Sequence, residues 1–427
     1  MADVLTKDDP LYEELYDIRR EAMEMGNLVE EDMNPRLGAL RDRGAVQQGR
    51  LRDLLGLPAH QRYMSGRDKP AYTVLDFAAC ETAFRENGRY SSSVVHHPNP
   101  DNEQLMGILE MDGAQHIAFR KTLQPMFIKP RTLTWWRQRW INEIVETLIE
   151  RLKTQDRAEL NIEYCSRVPV HTVTRAIGME GDDALVFRNA LMKSSDLSHI
   201  PPDVRKNASD TVWRMLAELI AARRATPGDD VVSKLIAATV TLADGTERPL
   251  NDREIAINAR LVMVAGGGTS WRQFGITLWA LFTHPQQFEA LKADRSLVDA
   301  AIEESVRWNV TAPVFGRLTT EDVVLGGVAI PSGSLVELVT GAANRDPARW
   351  DNPDAYDIFR PFKPHIGFGI GQHQCLGMNV ARSELNVGIN ALLDAFPDIR
   401  LDPDQPAPFL TGGLEQRGMS AIPVLLR

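Results

Sequence analysis

Apolar residues recur at helical spacing along most of this chain from about residue 75 onward. Residues 136–153 show the pattern plainly. Ile141, Val145, Leu148 and Leu152 fall on one stripe, with charged residues between them, which predicts a helix that buries one face. A longer apolar run begins at Asn251 and continues through Ala265 toward Leu281. Its start, Asn251-x-x-Glu254, pairs two side chains that can cap each other's backbone amides, so a long buried helix is predicted there. Residues 297–308 and 378–393 carry the same periodicity. The β signals are short: 323–325 and 328–330 joined by Gly326-Gly327 at hairpin spacing, and 421–426 near the C-terminus. Pro-Gly-Asp-Asp at 227–230 and Asp244-Gly245 mark turns, and no internal repeat or low-complexity segment interrupts the pattern. The expectation is a mainly α fold with small β-sheets, one large helical domain over 1–427.

One stretch of the long helix is unusual. Gly266, Gly267 and Gly268 are consecutive, and each costs about 1 kcal/mol relative to Ala in a helix interior. Either a neighbouring element packs closely against them, or they open a groove where a ligand approaches the backbone.

Composition narrows the classes. The chain has 427 residues, 43% hydrophobic and 25% charged, with net charge −10 and both signs mixed along its length. No basic tract recommends nucleic acid as a partner. Three cysteines, Cys80, Cys165 and Cys375, show neither a disulfide framework nor zinc-site spacing, which favours the reducing cytoplasm. The charged segment 1–20 has no signal-peptide core, and no run of about 18 apolar residues occurs, so a soluble protein without a membrane span is expected.

The chemistry concentrates at residues 368–377, F-G-I-G-Q-H-Q-C-L-G. Gly367, Gly369 and Gly371 let the backbone turn tightly, and the helix predicted from Met378 places Cys375 near a helix N-terminus. Unpaired amides and the helix dipole there favour the thiolate and lower the thiol pKa. A thiolate is a nucleophile or a soft metal ligand. A purely structural cysteine leaves the glycines and His373 unexplained, and a nucleophile needs a base, for which His373, two residues away on the same loop, is badly placed. Elsewhere, Glu304 and Arg307 share one helix face, as do His116 and Arg120.

Phe368, Gly369, His373, Cys375 and Gly377 stand where the haem-binding loop of the cytochrome P450 family carries its signature, and the chain resembles that family from about residue 112 to 377. Ala265 to Ser270, A-G-G-G-T-S, lies where the family has its oxygen-activation motif, and A-A-N-R-D-P at 342–347 is a further similar stretch. The resemblance implies a P450 fold with haem b between the central helix and the cysteine loop, and Cys375 as axial iron ligand. It implies His116, Arg120, Arg317 and His373 at the haem propionates, and Glu304, Arg307 and Arg360 as a buried network. Thr269, Gly268, Gly266 and Ala265 would line the oxygen site. Val262, Val314, Phe315 and Leu410 would line the substrate pocket, with the loop 91–106, including His96 and His97, and residues 310–315 and 409–411.

The implied reaction is monooxygenation with O2 of a small or medium apolar organic substrate, by hydroxylation or O-dealkylation. Electrons would come from NAD(P)H through a separate ferredoxin reductase and a two-iron ferredoxin, because no fused reductase fits in this length. Arg120, Lys121, Lys129 and Arg131 supply positive charge for that docking. One position departs from the family: Gly268 stands where an acid usually precedes the threonine, so the usual proton relay is absent. Peroxygenase chemistry, a haem protein that binds ligands without turnover, and an acyl-transfer enzyme using Cys375 stay open as alternatives.

Overall fold

The computed structural model describes residues 16–58, 69–95, 105–179, 181–194 and 201–427. The long apolar run folds as one continuous helix, Asp252–Thr283. Asn251 caps it: its Oδ1 accepts from the Glu254 amide at 2.8 Å, and the Glu254 carboxylate accepts from the Asn251 amide at 2.9 Å. This central helix is apolar on nearly every face because helices Arg167–Ile177, Pro202–Ala225, Val298–Trp308 and Met378–Ala395 surround it. One hydrophobic core runs from Ile108 to Leu426 through these elements.

The stripe Ile141, Val145, Leu148 and Leu152 is buried as predicted, but the segment is not one α-helix. A wide π-type stretch, Thr132–Ile141, precedes the α-helix Asn142–Leu152. In it Trp135, Trp136 and Trp140 pack edge to face, with centroids 4.8–5.7 Å apart. Three large rings within six residues explain why a sequence of ordinary helical period adopts the wider coil.

The sheets are small and marginal. The hairpin Val323–Leu325 with Val328–Ile330 forms as expected. The C-terminal strand Pro423–Leu425 joins Arg400–Leu401 and Arg157–Glu159 in a three-stranded sheet rather than a hairpin. A five-stranded sheet was not foreseen: Leu335–Leu338 pairs parallel with Ala71–Val74 and antiparallel with Phe315–Thr319. In that register Arg317 lies opposite Val336, which carries the guanidinium into the interior.

Candidate functional site

The cysteine loop is held by its own backbone. The Cys375 amide donates to the Phe368 carbonyl at 2.8 Å. Gly369 and Gly371 adopt φ of +64° and +80°, open to glycine at little cost, and a Cβ at Gly371 would sit 2.7 Å from the Phe84 carbonyl. Gly377 caps the helix Met378–Ala395. Cys375 is enclosed by protein on all sides yet its side chain is exposed, the combination produced by an internal cavity. Its thiol is not depressed as the sequence suggested. Burial pushes it above its usual value, against the Gly377 and Met378 amides and the Arg120 and Arg382 guanidiniums.

Around the loop, His116 and His373 stack at 4.1 Å between ring centroids. Neither nitrogen of the buried His116 has a hydrogen-bond partner, nor does Nε of Arg317. His373 Nε2 faces Asp112 at 3.7 Å, and Arg120 donates to the Gln374 carbonyl at 2.6 Å. Burial and the neighbouring His373 and Arg120 charges pull His116 down to about 4, and burial brings Arg317 down to about 10. Asp112 is the acid in reach, and it also accepts from the Ser92 amide at 3.0 Å and from the Ser91 hydroxyl. Cationic and imidazole groups thus gather at one interior place at mutual cost, which an added anion would offset.

Beneath the loop, Arg307 grips Glu304 with two bonds of 2.7 Å and donates to the carbonyls of Asn344, Pro353 and Ala355. Arg360 reaches Glu304 Oε1 at 3.2 Å. Next to it, Glu303 takes Arg382 at 2.6 and 2.8 Å and faces His365 at 3.3 Å. Burial alone would raise the Glu303 carboxyl, but His365 and Arg382 outweigh it and bring it down to about 2. Arg382 in turn lies over the Phe368 ring at 4.7 Å.

On the facing helix the glycines divide. A Cβ at Gly266 would meet Val173 at 2.5 Å, and one at Gly267 would strike the Arg188 guanidinium, which donates to the Gly267 carbonyl. These two serve close packing, and the helix keeps its α form through them. Gly268 is open, with Arg272 Nη1 at 3.7 Å its one neighbour. Ala265 is exposed within this otherwise buried helix, and Thr269 donates to its carbonyl at 3.0 Å. Ala265 and Thr269, with Val262 on the same face, therefore line internal space.

The family model described as Cytochrome P450 matches residues 186–414. Cytochrome P450 107B1 of Saccharopolyspora erythraea is 33% identical over 323 residues, covering 74% of this chain and 76% of its own. The chain belongs to the cytochrome P450 family. Vitamin D3 dihydroxylase of Streptomyces griseolus is 34% identical over 66% of this chain and 69% of its own. The solved structure of the bacillaene polyketide synthase cytochrome P450 of Bacillus subtilis covers 93% of the chain and 98% of its own at TM-score 0.79 and 25% identity.

This P450 is an oxygenase enzyme, an oxidoreductase of a family that uses haem iron and O2. The residues present fit that group. The unpartnered nitrogens of His116 and Arg317 suit the carboxylates of a porphyrin, and the cavity-facing sulfur of Cys375 suits its iron. Phe315 and Val314 are half-buried. A cleft lined by Val310, Pro313, Val314, Leu410, Leu37 and Arg417 joins four of the expected pocket residues, but its lining includes neither Cys375 nor Thr269. His96, His97 and most of the 91–106 loop lie outside the described residues. No helix among the described residues is long and apolar enough to cross a membrane.

Several residues escaped the sequence reading. Glu303 lies beside Glu304 and Arg382 about one turn into the cysteine helix, both on helices already singled out, and Asp112 stands four residues before His116. Glu384, buried on the cysteine helix, has its carboxyl raised by burial to about 8, against hydrogen bonds with Ser270 and Thr172. No spacing in the sequence joins it to the central helix.

Proposed function

We propose that this P450 is a monooxygenase of small or medium apolar organic molecules, with Cys375 as axial ligand of haem b. The observation that carries the reading is the exposed sulfur of Cys375, on a loop fixed by the Phe368 carbonyl and the Gly377 cap. The haem, when bound through a thiolate, supplies O2 activation with a bias toward O–O cleavage.

The chain's own residues do the rest. A bound haem iron would take Cys375 as its thiolate, and the Gly377 and Met378 amides with the Arg120 charge would stabilise that anion. His116, Arg120, Arg317 and His373 orient the porphyrin through its carboxylates. Glu304, Arg307 and Arg360 keep the floor below rigid. Thr269 holds a proton donor by hydrogen bond on the oxygen side, and Ala265, Gly266, Val262, Val314, Phe315 and Leu410 shape an apolar space for substrate.

Electrons would reach the site from NAD(P)H through a ferredoxin reductase and a two-iron ferredoxin. Arg120 is spent on Gln374, so the exposed Lys121 and Lys129 carry the docking charge on the cysteine side. The relatives named for vitamin D3 and for bacillaene support a medium-sized apolar substrate. The test is oxygen consumption with a surrogate ferredoxin and reductase across a panel of apolar compounds. Substrate-dependent consumption with hydroxylated or dealkylated product supports the reading; haem binding with no turnover across the panel defeats it in favour of a ligand-binding protein.

A further inference from the structure

Gly268 leaves the oxygen side without the acid that a carboxylate at this position would supply. The helix Ile18–Glu24 packs on the strands Leu410–Gly412 and Arg417–Met419, and the second of these packs on the central helix. Tyr16 packs edge to face on Trp271 at 5.7 Å between centroids, and the Val29 amide donates to the Gly412 carbonyl at 2.8 Å. Gly418 has no room for a Cβ beside Ile18. The docking is therefore specific, and it brings one carboxylate inward. Glu21 pairs with Arg272, whose other terminal nitrogen donates to the Gly268 carbonyl at 2.5 Å.

We propose that Glu21 is the acid of the oxygen side, supplied from a distant segment and tied to the Gly268 backbone by Arg272. The proposal rests on the haem-thiolate reading above. Glu21 keeps 17% of its side chain exposed while Arg272 keeps 4%, so the carboxylate is the member of the pair within reach of solvent. It takes a proton from bulk water and releases it to water held at the Gly268 carbonyl and the Thr269 hydroxyl. Each proton passed on is replaced from solvent, and Glu21 ends unchanged. Monooxygenation consumes two such protons with two electrons and one O2, one oxygen entering the substrate and one leaving as water. Arg272 stays charged throughout and acts as a positioning residue, because a guanidinium does not give up its proton. Gly268 has a reason within this arrangement: a side chain there would fall 3.7 Å from Arg272 Nη1. An Asp at 268 would compete with Glu21 for the same cation.

Glu384 is the rival. It is fully buried and bonded to Ser270, next to Thr269 in sequence. Its 1% exposure leaves it without the contact with bulk water by which Glu21 is recharged.

The test uses haem-loaded protein with a surrogate ferredoxin, its reductase, NADH and a compound of the apolar panel that supports turnover, read as the rate of O2 consumption, together with thermal unfolding followed by circular dichroism. E21Q should lower the O2-consumption rate about tenfold, the low end of what a positioned acid or base contributes. It should also lower Tm, because Arg272 loses its carboxylate. E21Q/G268D should recover both rate and Tm, since the new carboxylate sits beside Arg272, whereas E384Q should leave the rate within about twofold of the native one. A lower Tm with an unchanged rate would make the ion pair merely structural and overturn the proposal. So would a rate lost in E384Q instead of E21Q, or a double variant that regains Tm but not rate. Native protein lacking the red-shifted reduced carbon monoxide band would instead overturn the haem-thiolate reading itself, and this proposal with it.

Discussion

The two faces of the cavity are built by different means. On the sulfur side, positions are fixed by neighbours in sequence and by buried ion pairs: the loop closes on its own carbonyl, and Glu304 binds Arg307 three residues on. On the oxygen side, the central helix supplies mostly glycine and alanine, and its polar partners come from far away. Arg188, Glu21 and Glu384 reach it from three other helices. The first arrangement leaves little room for change. The second lets the chemistry of one helix be set by residues far away in sequence, from 79 positions for Arg188 to 251 for Glu21.

Breaking the floor should show the largest effect. Arg307→Leu leaves the buried Glu304 with only Arg360 and the Asp357 amide and strips the Asn344 and Pro353 carbonyls of their donor, so a loss of about 3–5 kcal/mol in urea unfolding is expected. A loss below 1 kcal/mol would mean the network carries little of the fold.

Glu303 gives a pH-dependent version of the same contrast. Its folded carboxyl, brought down to about 2, lies below its unfolded value near 4.3. The stability it contributes is therefore present above pH about 4.3 and is lost as pH falls toward 2. Native protein should lose on the order of 2 kcal/mol more than Glu303→Gln across that window, read from parallel urea titrations. Parallel curves for the two proteins would contradict the assignment.

The glycines separate next. Gly267→Ala pushes a methyl into the buried Arg188 guanidinium and should cost about 1–3 kcal/mol. Gly268→Ala meets nothing closer than 3.7 Å and should gain about 0.5–1 kcal/mol from helix propensity. Equal effects in thermal unfolding would erase the division between packing glycines and an open one.

Much of the sulfur side was legible in the sequence because its determinants are local. The glycines at 369 and 371 reach left-handed backbone, and Glu304 with Arg307 shares a helix turn; on the central helix the cap was as local, with Asn251 and Glu254 three residues apart. The thiol of Cys375 was misjudged because a helix N-terminus is local whereas desolvation depends on everything packed around it. The widened groove at 266–268 was half right for the same reason: Val173 and Arg188 occupy two of the three sites, and neither is near in sequence. The five-stranded sheet joins strands more than 200 residues apart, a pairing that periodicity does not encode.

The central claim is that Cys375 binds haem iron as a thiolate in a cavity whose two faces are built in these two ways. Reduction of the haem-loaded protein under carbon monoxide tests it most directly. The native chain should give the strongly red-shifted Soret band of thiolate ligation, and Cys375→Ser should lose it while far-ultraviolet circular dichroism stays unchanged. A native spectrum without that shift, or one that survives in Cys375→Ser, would contradict the account.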